Sequence, residues 1–284
     1  MFKMEIITGE NYQFECNHYL SVRKQFQPCF HTYNKLLKEN KKIIYEDLST
    51  PFDNKPLIFM ETNNYYLPDI IDKLKLLKNP FSLVSHNSDY HFKEEHLQIF
   101  NKVSNLQKIY TQNCEVEDER IIPIPIGLAN SKWPHGNLSI FNQVLLENIP
   151  KKNDIYFNFD IRTNRKERTI CKIKMERKGI RWTKSQNFLN YLRVLKSHKF
   201  AICPPGKGSD CHRIWECLYM KVVPICKKSF LTEYFSKLFP ILFLDNWKDL
   251  DISKLNYDDY SWENYDNLDF EWWKEKILNY QDEF

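Results

Sequence analysis

The sequence predicts an α/β fold of two Rossmann-like, doubly wound domains facing a cleft, with a C-terminal helix packing across their junction. Three observations lead there. Short apolar, β-branched segments alternate with segments of helical periodicity along most of the chain. The alternation runs through one series and restarts near Asp154. At 284 residues the chain is long enough for two domains of moderate size. Regular alternation of this kind implies parallel sheets covered by helices on both faces.

In the first series "KMEIIT", "KKIIYED", "PLIFME", "FSLVSH", "LQKIYTQ" and "RIIPIPIG" read as strands. "YLPDIIDKLKLLKN" and "FKEEHLQIFNKVSN" lie between them with apolar residues at helical spacing, and "NLSIFNQVLLENI" closes the half. The boundary falls near "IPKKND", giving domains 1–150 and 151–284. The second series opens with the strand "DIYFNFD" and the basic helix "RKERTICKIKMERKG", which Gly179 should terminate. The strands "IRWTK", "KFAICP", "VVPICK" and "PILFLD" follow, separated by the helices "NFLNYLRVLKSH", "DCHRIWECLYMK" and "FLTEYFSKLF". The aromatic tail "SWENYDNLDFEWWKEKILNY" is the junction helix.

The loop "PPGKGS" leaves the carboxyl end of "KFAIC", where open α/β sheets bind ligands. The chain has only 6 glycines, and Gly206 and Gly208 both sit in this loop. They let backbone approach a ligand closely, and the helix N-terminus behind them, capped by Ser209 or Asp210, favours an anion. Pro205 shapes the turn and Lys207 adds positive charge. Arg213 and Glu216 are three apart and share a helix face. The arginine could reach a phosphate, and the carboxylate could accept from vicinal hydroxyls such as a ribose's. The alternative is a tight turn followed by a surface Arg–Glu pair. Neither the Walker A pattern nor G-x-G-x-x-G is present, which weakens kinase and dehydrogenase readings.

The run C-P-x-G-x-G-x-D-x-x-R-x-x-E-x-L followed by V-P-I, from about Lys196 to Cys226, resembles the donor-binding segment of exostosin-type glycosyltransferases. "IYFNFDIRTNRKER" resembles it more weakly, and "LVSHNSD" and "IPIPIGLANS" match in style. The overall look is similar to short glycosyltransferases of large DNA viruses, including chlorovirus xylosyltransferases. The resemblance implies the GT-B architecture, a UDP-sugar donor, Arg213 on its diphosphate and Glu216 on its ribose. Exostosins are usually anchored in the secretory pathway. No apolar run here approaches the ~20 residues of a membrane span.

Arg162, Lys166 and Arg168 follow the first strand of the second half. Arg162 is the candidate phosphate contact, and the other two read as a solvated helix start. For an inverting transfer the base should come from a strand end of the first half. Asp89 in "VSHNSDYH" is the first choice, then His86 and Glu61, each with a turn or cap role as its alternative. Gly127 should let a turn approach closely. Two metal patterns are read as non-functional. Asp249-Leu250-Asp251 lies beyond the last strand, where acids complement a helix dipole. Cys16-x-His18 with Cys29-x-His31 lacks a common zinc spacing.

Composition bounds the partners. Hydrophobic residues at 42% and charged residues at 27% suit a soluble globular chain with a real core. The net charge of +4 is too small to argue for duplex DNA. Glu5, Glu10 and Glu15 interrupt any signal-peptide core, and the eight cysteines show no C-x-x-C pair. The expectation is a cytoplasmic, metal-independent, inverting glycosyltransferase without a cofactor. It would take a nucleotide sugar and an acceptor glycan, without nucleic acid. Its rival is an inactive nucleotide- or glycan-binding protein of the same fold.

Overall fold

The apolar runs "LIFME" and "FSLVSH" form adjacent parallel strands whose residues are buried on both faces, apart from the half-buried Glu61. They belong to a computed structural model that describes residues 4–16, 18–20, 56–61, 68–262 and 265–279. The chain divides into two units, Met1–Lys132 with Asp269–Phe284, and Trp133–Leu268.

The first unit holds a sheet of five parallel strands in chain order. They are β1 (His18–Leu20), β2 (Leu57–Glu61), β3 (Phe81–His86), β4 (Leu106–Thr111) and β5 (Ile121–Pro123). Its helices are α1 (Gly9–Glu15), α2 (Pro68–Lys75) and α3 (Glu94–Phe100). The strand expected over "KMEIIT" is reduced to two bridges, Ile6 with Asp269 and Thr8 with Leu128. "KKIIYED" lies outside the described residues. The helix Phe270–Asn279 belongs to this unit. The Phe270 N–H donates to the Glu5 carbonyl at 2.8 Å. The Phe270 ring meets Tyr12 edge-on at 5.1 Å, and Trp273 and Ile277 are buried.

The second unit holds four parallel strands, again in chain order: β6 (Asn153–Tyr156), β7 (His198–Cys203), β8 (Val223–Lys227) and β9 (Leu242–Leu244). Its helices are α4 (Leu138–Leu146), α5 (Arg165–Arg177), α6 (Phe188–Lys196), α7 (His212–Tyr219) and α8 (Phe230–Ser236). The boundary is at residue 132, not at 149–154, because α4 packs on α6. Lys196 Nζ donates to the carbonyls of Val144, Leu145 and Glu147 at 2.6–2.9 Å. Arg193 pairs with Glu147 through two bonds of 2.7 and 2.5 Å. A helix end capped by lysine and closed by a bidentate pair has its carbonyls satisfied within one unit.

Strand periodicity sorts the side chains of β7 between two helical layers. Phe200 and Ile202, with Val223 and Ile225 of β8, form a core with Cys171 and Met175 of α5, closed by Trp247 and Leu250. Cys203 points to the other face, its Sγ 3.8 Å from that of Cys217 on α7. The seven described cysteines are free. Gly179, at φ 78°, ends α5 as expected, and the N–H of Ile180 closes back on the Met175 carbonyl. "IRWTK" is not a ladder strand. Thr183 instead binds Phe157 and Asn158 just past β6 through hydrogen bonds of 2.7 and 2.6 Å.

Candidate functional site

The loops leaving β6 and β7 open a cavity of about 540 Å³ in the second unit, at the carboxyl edge of its sheet. One side chain ties the two loops together. Arg168, only 9% exposed, donates from Nη1 to the Asp160 carbonyl at 2.8 Å. Its Nε and Nη2 donate to the carbonyls of Pro205 (3.0 Å) and Pro204 (3.2 Å). Asn164 Nδ2 donates to the Gly206 carbonyl at 2.8 Å. The planar five-donor fork of a guanidinium suits such a clamp.

This clamp explains the glycine of the loop better than backbone freedom does. Neither Gly206 nor Gly208 takes positive φ. A Cβ on Gly206 would stand 3.3 Å from Arg168 Nη2, so the position is small because the guanidinium lies against it. The middle of the loop turns away from the cavity. Pro204 and Cys211 line it, whereas Pro205 borders a separate 80 Å³ hollow beside Lys227 and Ser229. Lys207 is exposed, and neither it nor Gly208 contributes to the cavity wall.

The helix behind the loop starts without a side-chain cap. The N-cap of α7 is Cys211, not Ser209 or Asp210. The buried Asp210 is engaged elsewhere, accepting from the Trp215 indole at 2.8 Å. Cys211 and His212 both line the cavity, so the positive end of the helix dipole faces it.

Arg213 and Glu216 line the same cavity, and both are more buried than a surface pair would be. Glu216 is 5% exposed. Its Oε2 accepts from the Tyr191 hydroxyl and stands 3.4 Å from Arg213 Nε. Arg213 Nη1 donates to the Asn158 carbonyl at 2.7 Å, and the guanidinium lies 4.7 Å from the Tyr191 ring centroid and 5.3 Å from that of Tyr156. Burial pushes the Tyr191 hydroxyl well above its usual pKa, so it stays a donor. Among the described residues Arg213 Nη2 and Glu216 Oε1 make no hydrogen bond, and the buried Arg213 Nε has only its ion-pair contact with Glu216. A fixed cation and a fixed carboxylate thus line a concave, partly aromatic site with hydrogen-bonding capacity left over on both.

The structure does not bring Arg162 to the cavity. Its side chain is 84% exposed and folds back onto Asp160, 2.8 Å away. Hydrogen bonds from Arg162 hold the Asp160 carboxyl down at about 2, so the pair is ionised at any working pH. Helical phase reverses the two arginines' expected roles: Arg168 shares the buried stripe of α5 with Cys171 and Met175.

In the first unit Glu61 and His86 end neighbouring strands in register. His86 is buried, and its Nδ1 accepts the Asn87 N–H at 2.8 Å while Nε2 contacts the Pro125 carbonyl at 3.0 Å. The carbonyl can only accept, which places a proton on Nε2, while Nδ1 also lies 3.2 Å from Asn87 Oδ1 and the Asn87 N–H is shared with Gln112 Oε1 at 3.1 Å. Asp89 is exposed in the loop after β3. This edge also contains groups that sequence reading passed over. A Cβ on Gly9 would fall 1.9 Å from Asn87 Oδ1, and Asn87 has φ 62°. Asn130 Nδ2 donates to that oxygen at 2.8 Å, and the buried Glu10 accepts from the Ser131 N–H and hydroxyl at 2.9 and 2.7 Å. Gly127 has φ 65° and a Cβ there would be 2.2 Å from the Ile7 carbonyl oxygen, a close approach within the fold.

Asp251 caps the turn Ile252–Lys254 and accepts from Ser253, and Asp249 is exposed. Cys16 and His18 are buried, and Cys29 and His31 lie outside the described residues. Among the described residues no three His, Cys, Asp or Glu side chains are grouped to hold a metal.

No protein-family model matches the chain, and no curated protein matches it. Among solved structures it is similar to OtsA in its apo form, with a TM-score of 0.51 and 10% identity over 92% of this chain and 79% of that one. At that identity the likeness concerns the fold, which is that of two Rossmann-like units as in GT-B proteins. No helix among the described residues is long and apolar enough to cross a membrane.

Proposed function

We propose that the chain is a glycosyltransferase whose second unit binds a nucleotide sugar, in particular a UDP-sugar. The observation that carries this reading is the buried Arg213–Glu216 pair lining the cavity at the start of α7. Arg213 Nη2 and the uncapped start of α7 would take the diphosphate. Glu216 Oε1 would accept from the ribose hydroxyls. A volume of about 540 Å³ suits a ligand of that size. The exostosin-like run and the GT-B fold support the same assignment, although a fold alone hosts many functions. In a metal-independent transfer, Arg213 and the helix N–H groups would stabilise the charge of the leaving diphosphate.

The finer proposals are an inverting, metal-independent transfer to a glycan hydroxyl, with a pentose such as xylose among the donors. The product's anomeric configuration is the informative measurement. Incubating the protein with a panel of UDP-sugars, with and without acceptor glycans and EDTA, is expected to release UDP only when an acceptor is present. Nucleotide binding without turnover would favour the inactive binding protein. Loss of turnover in EDTA, restored by Mn²⁺, would remove the metal-free mechanism, and a product keeping the donor's configuration would remove inversion.

The base we assign is Asp89, with His86 and then Glu61 behind it. Asp89→Asn is expected to lower kcat by about 10²-fold or more, as loss of a general base does, with donor affinity unchanged. Single-turnover rates near those of the unaltered protein would transfer the assignment to His86, then Glu61.

A further inference from the structure

The charge of this chain is unevenly placed. Residues 160–184 contain ten Lys or Arg against three Asp or Glu, a net of +7, while the whole chain carries +4. The other residues therefore sum to −3. The basic stretch is built around α5, whose inner face carries Arg168, Cys171 and Met175. Its outer face carries Lys166, Ile170, Ile173 and Arg177, at spacings of four, three and four, which form one stripe along a helix. All four are exposed, Ile170 at 41% and Ile173 at 43%. Lys174, Lys178 and Arg181 add charge around this stripe.

We propose that this outer face of α5 docks the protein on a membrane surface rich in anionic lipid. Two observations favour lipid over other anionic partners. A nucleic acid would engage the basic groups through phosphates but offer nothing to two isoleucines standing between them. A second copy of the same face would set two strongly positive surfaces against each other, which is unfavourable. An anionic bilayer accepts both parts: the lysines and arginines meet the headgroups, and the isoleucines enter the acyl boundary. Long basic side chains can reach the headgroups while their stems stay along the apolar layer. The opposite side of the same helix supplies Arg168 to the cavity wall.

The test is co-sedimentation of the full chain with phosphatidylcholine vesicles and with equimolar phosphatidylcholine–phosphatidylglycerol vesicles. Binding is expected to the second alone and to weaken with added salt. Ile170→Ser with Ile173→Ser should lower the partition coefficient by about tenfold, through lost apolar burial. Lys166→Glu with Arg177→Glu should lower it by about five-fold or more per reversed charge. All four positions are exposed, so unchanged melting and unchanged UDP binding are the controls for folding. Absence of binding to the anionic vesicles overturns the proposal. So does an isoleucine variant that binds them as well as the unaltered chain, particularly if a duplex DNA fragment then competes, since the face would be a general polyanion site. Dimerisation that the isoleucine variant abolishes, without vesicle binding, overturns it in favour of self-association.

Discussion

Glu216→Ala is expected to lose both donor binding and much of the second unit's stability. The carboxylate is buried, accepts from the Tyr191 hydroxyl, and is the ion-pair partner of Arg213. Removing it leaves a guanidinium largely out of water with only the Asn158 carbonyl and two aromatic faces. Breaking a buried pair from one side costs about 3–5 kcal/mol, because the remaining charge is uncompensated. For a unit of this size that is a fall in Tm of roughly 10–17 °C. Glu216→Gln separates the two roles. The amide oxygen can still accept from Tyr191, so most of the structure should survive. The proposed charge-assisted contact to a ribose would be lost, at about 1.5–3 kcal/mol or roughly ten- to hundred-fold in affinity. Calorimetric titration with UDP and a melting curve on both variants check this. If Glu216→Gln binds UDP as well as the unaltered chain, the carboxylate has no part in the donor site. If Glu216→Ala melts normally, the pair is not a structural element either.

The alternation of strands and helices was legible in the sequence because it depends on local periodicity, and the loop with its Arg-x-x-Glu pair was legible because it lies in one contiguous run. What escaped depends on contacts distant in sequence. The membership of α4 follows from Lys196 and Arg193, about 50 positions away in the chain. The C-terminal helix joins the first unit through Glu5 and Tyr12, which no local pattern marks. His86 was legible as a strand-end group, but its burial and its contacts with the Pro125 carbonyl and the Asn87 N–H come from the fold and not from the local sequence. Glu10 was read only as a charge interrupting a leader, although its place one residue after Gly9 at the start of α1 was available as a clue. The spacing of Arg168, Cys171 and Met175 was also available. A single arginine on the apolar stripe of a basic helix must find partners inside the fold.

Arg168→Met is the change expected to disorganise the cavity from furthest outside its chemistry. The methionine roughly replaces the volume of the stem and removes a buried cation, which by itself could be favourable. It also strands three carbonyls, those of Asp160, Pro204 and Pro205, that the guanidinium now satisfies. Each unsatisfied buried acceptor costs about 1–3 kcal/mol, so the net expectation is a loss of about 2–4 kcal/mol. Arg168→Lys should fare little better. A single ammonium can keep one or two of the bonds but cannot span carbonyls on two loops at once. Because those loops position Asp160, Pro204 and Cys211 in the cavity wall, UDP affinity should fall together with Tm. Arg162→Ala is the matched control. It has the same charge and lies six residues earlier, but it is exposed and paired only with Asp160 among the described residues, so neither quantity should move. The reverse result, with Arg162→Ala losing UDP affinity and Arg168→Met behaving like the unaltered chain, would show that the guanidinium facing the donor is the exposed one and that the loop holds its shape without a clamp.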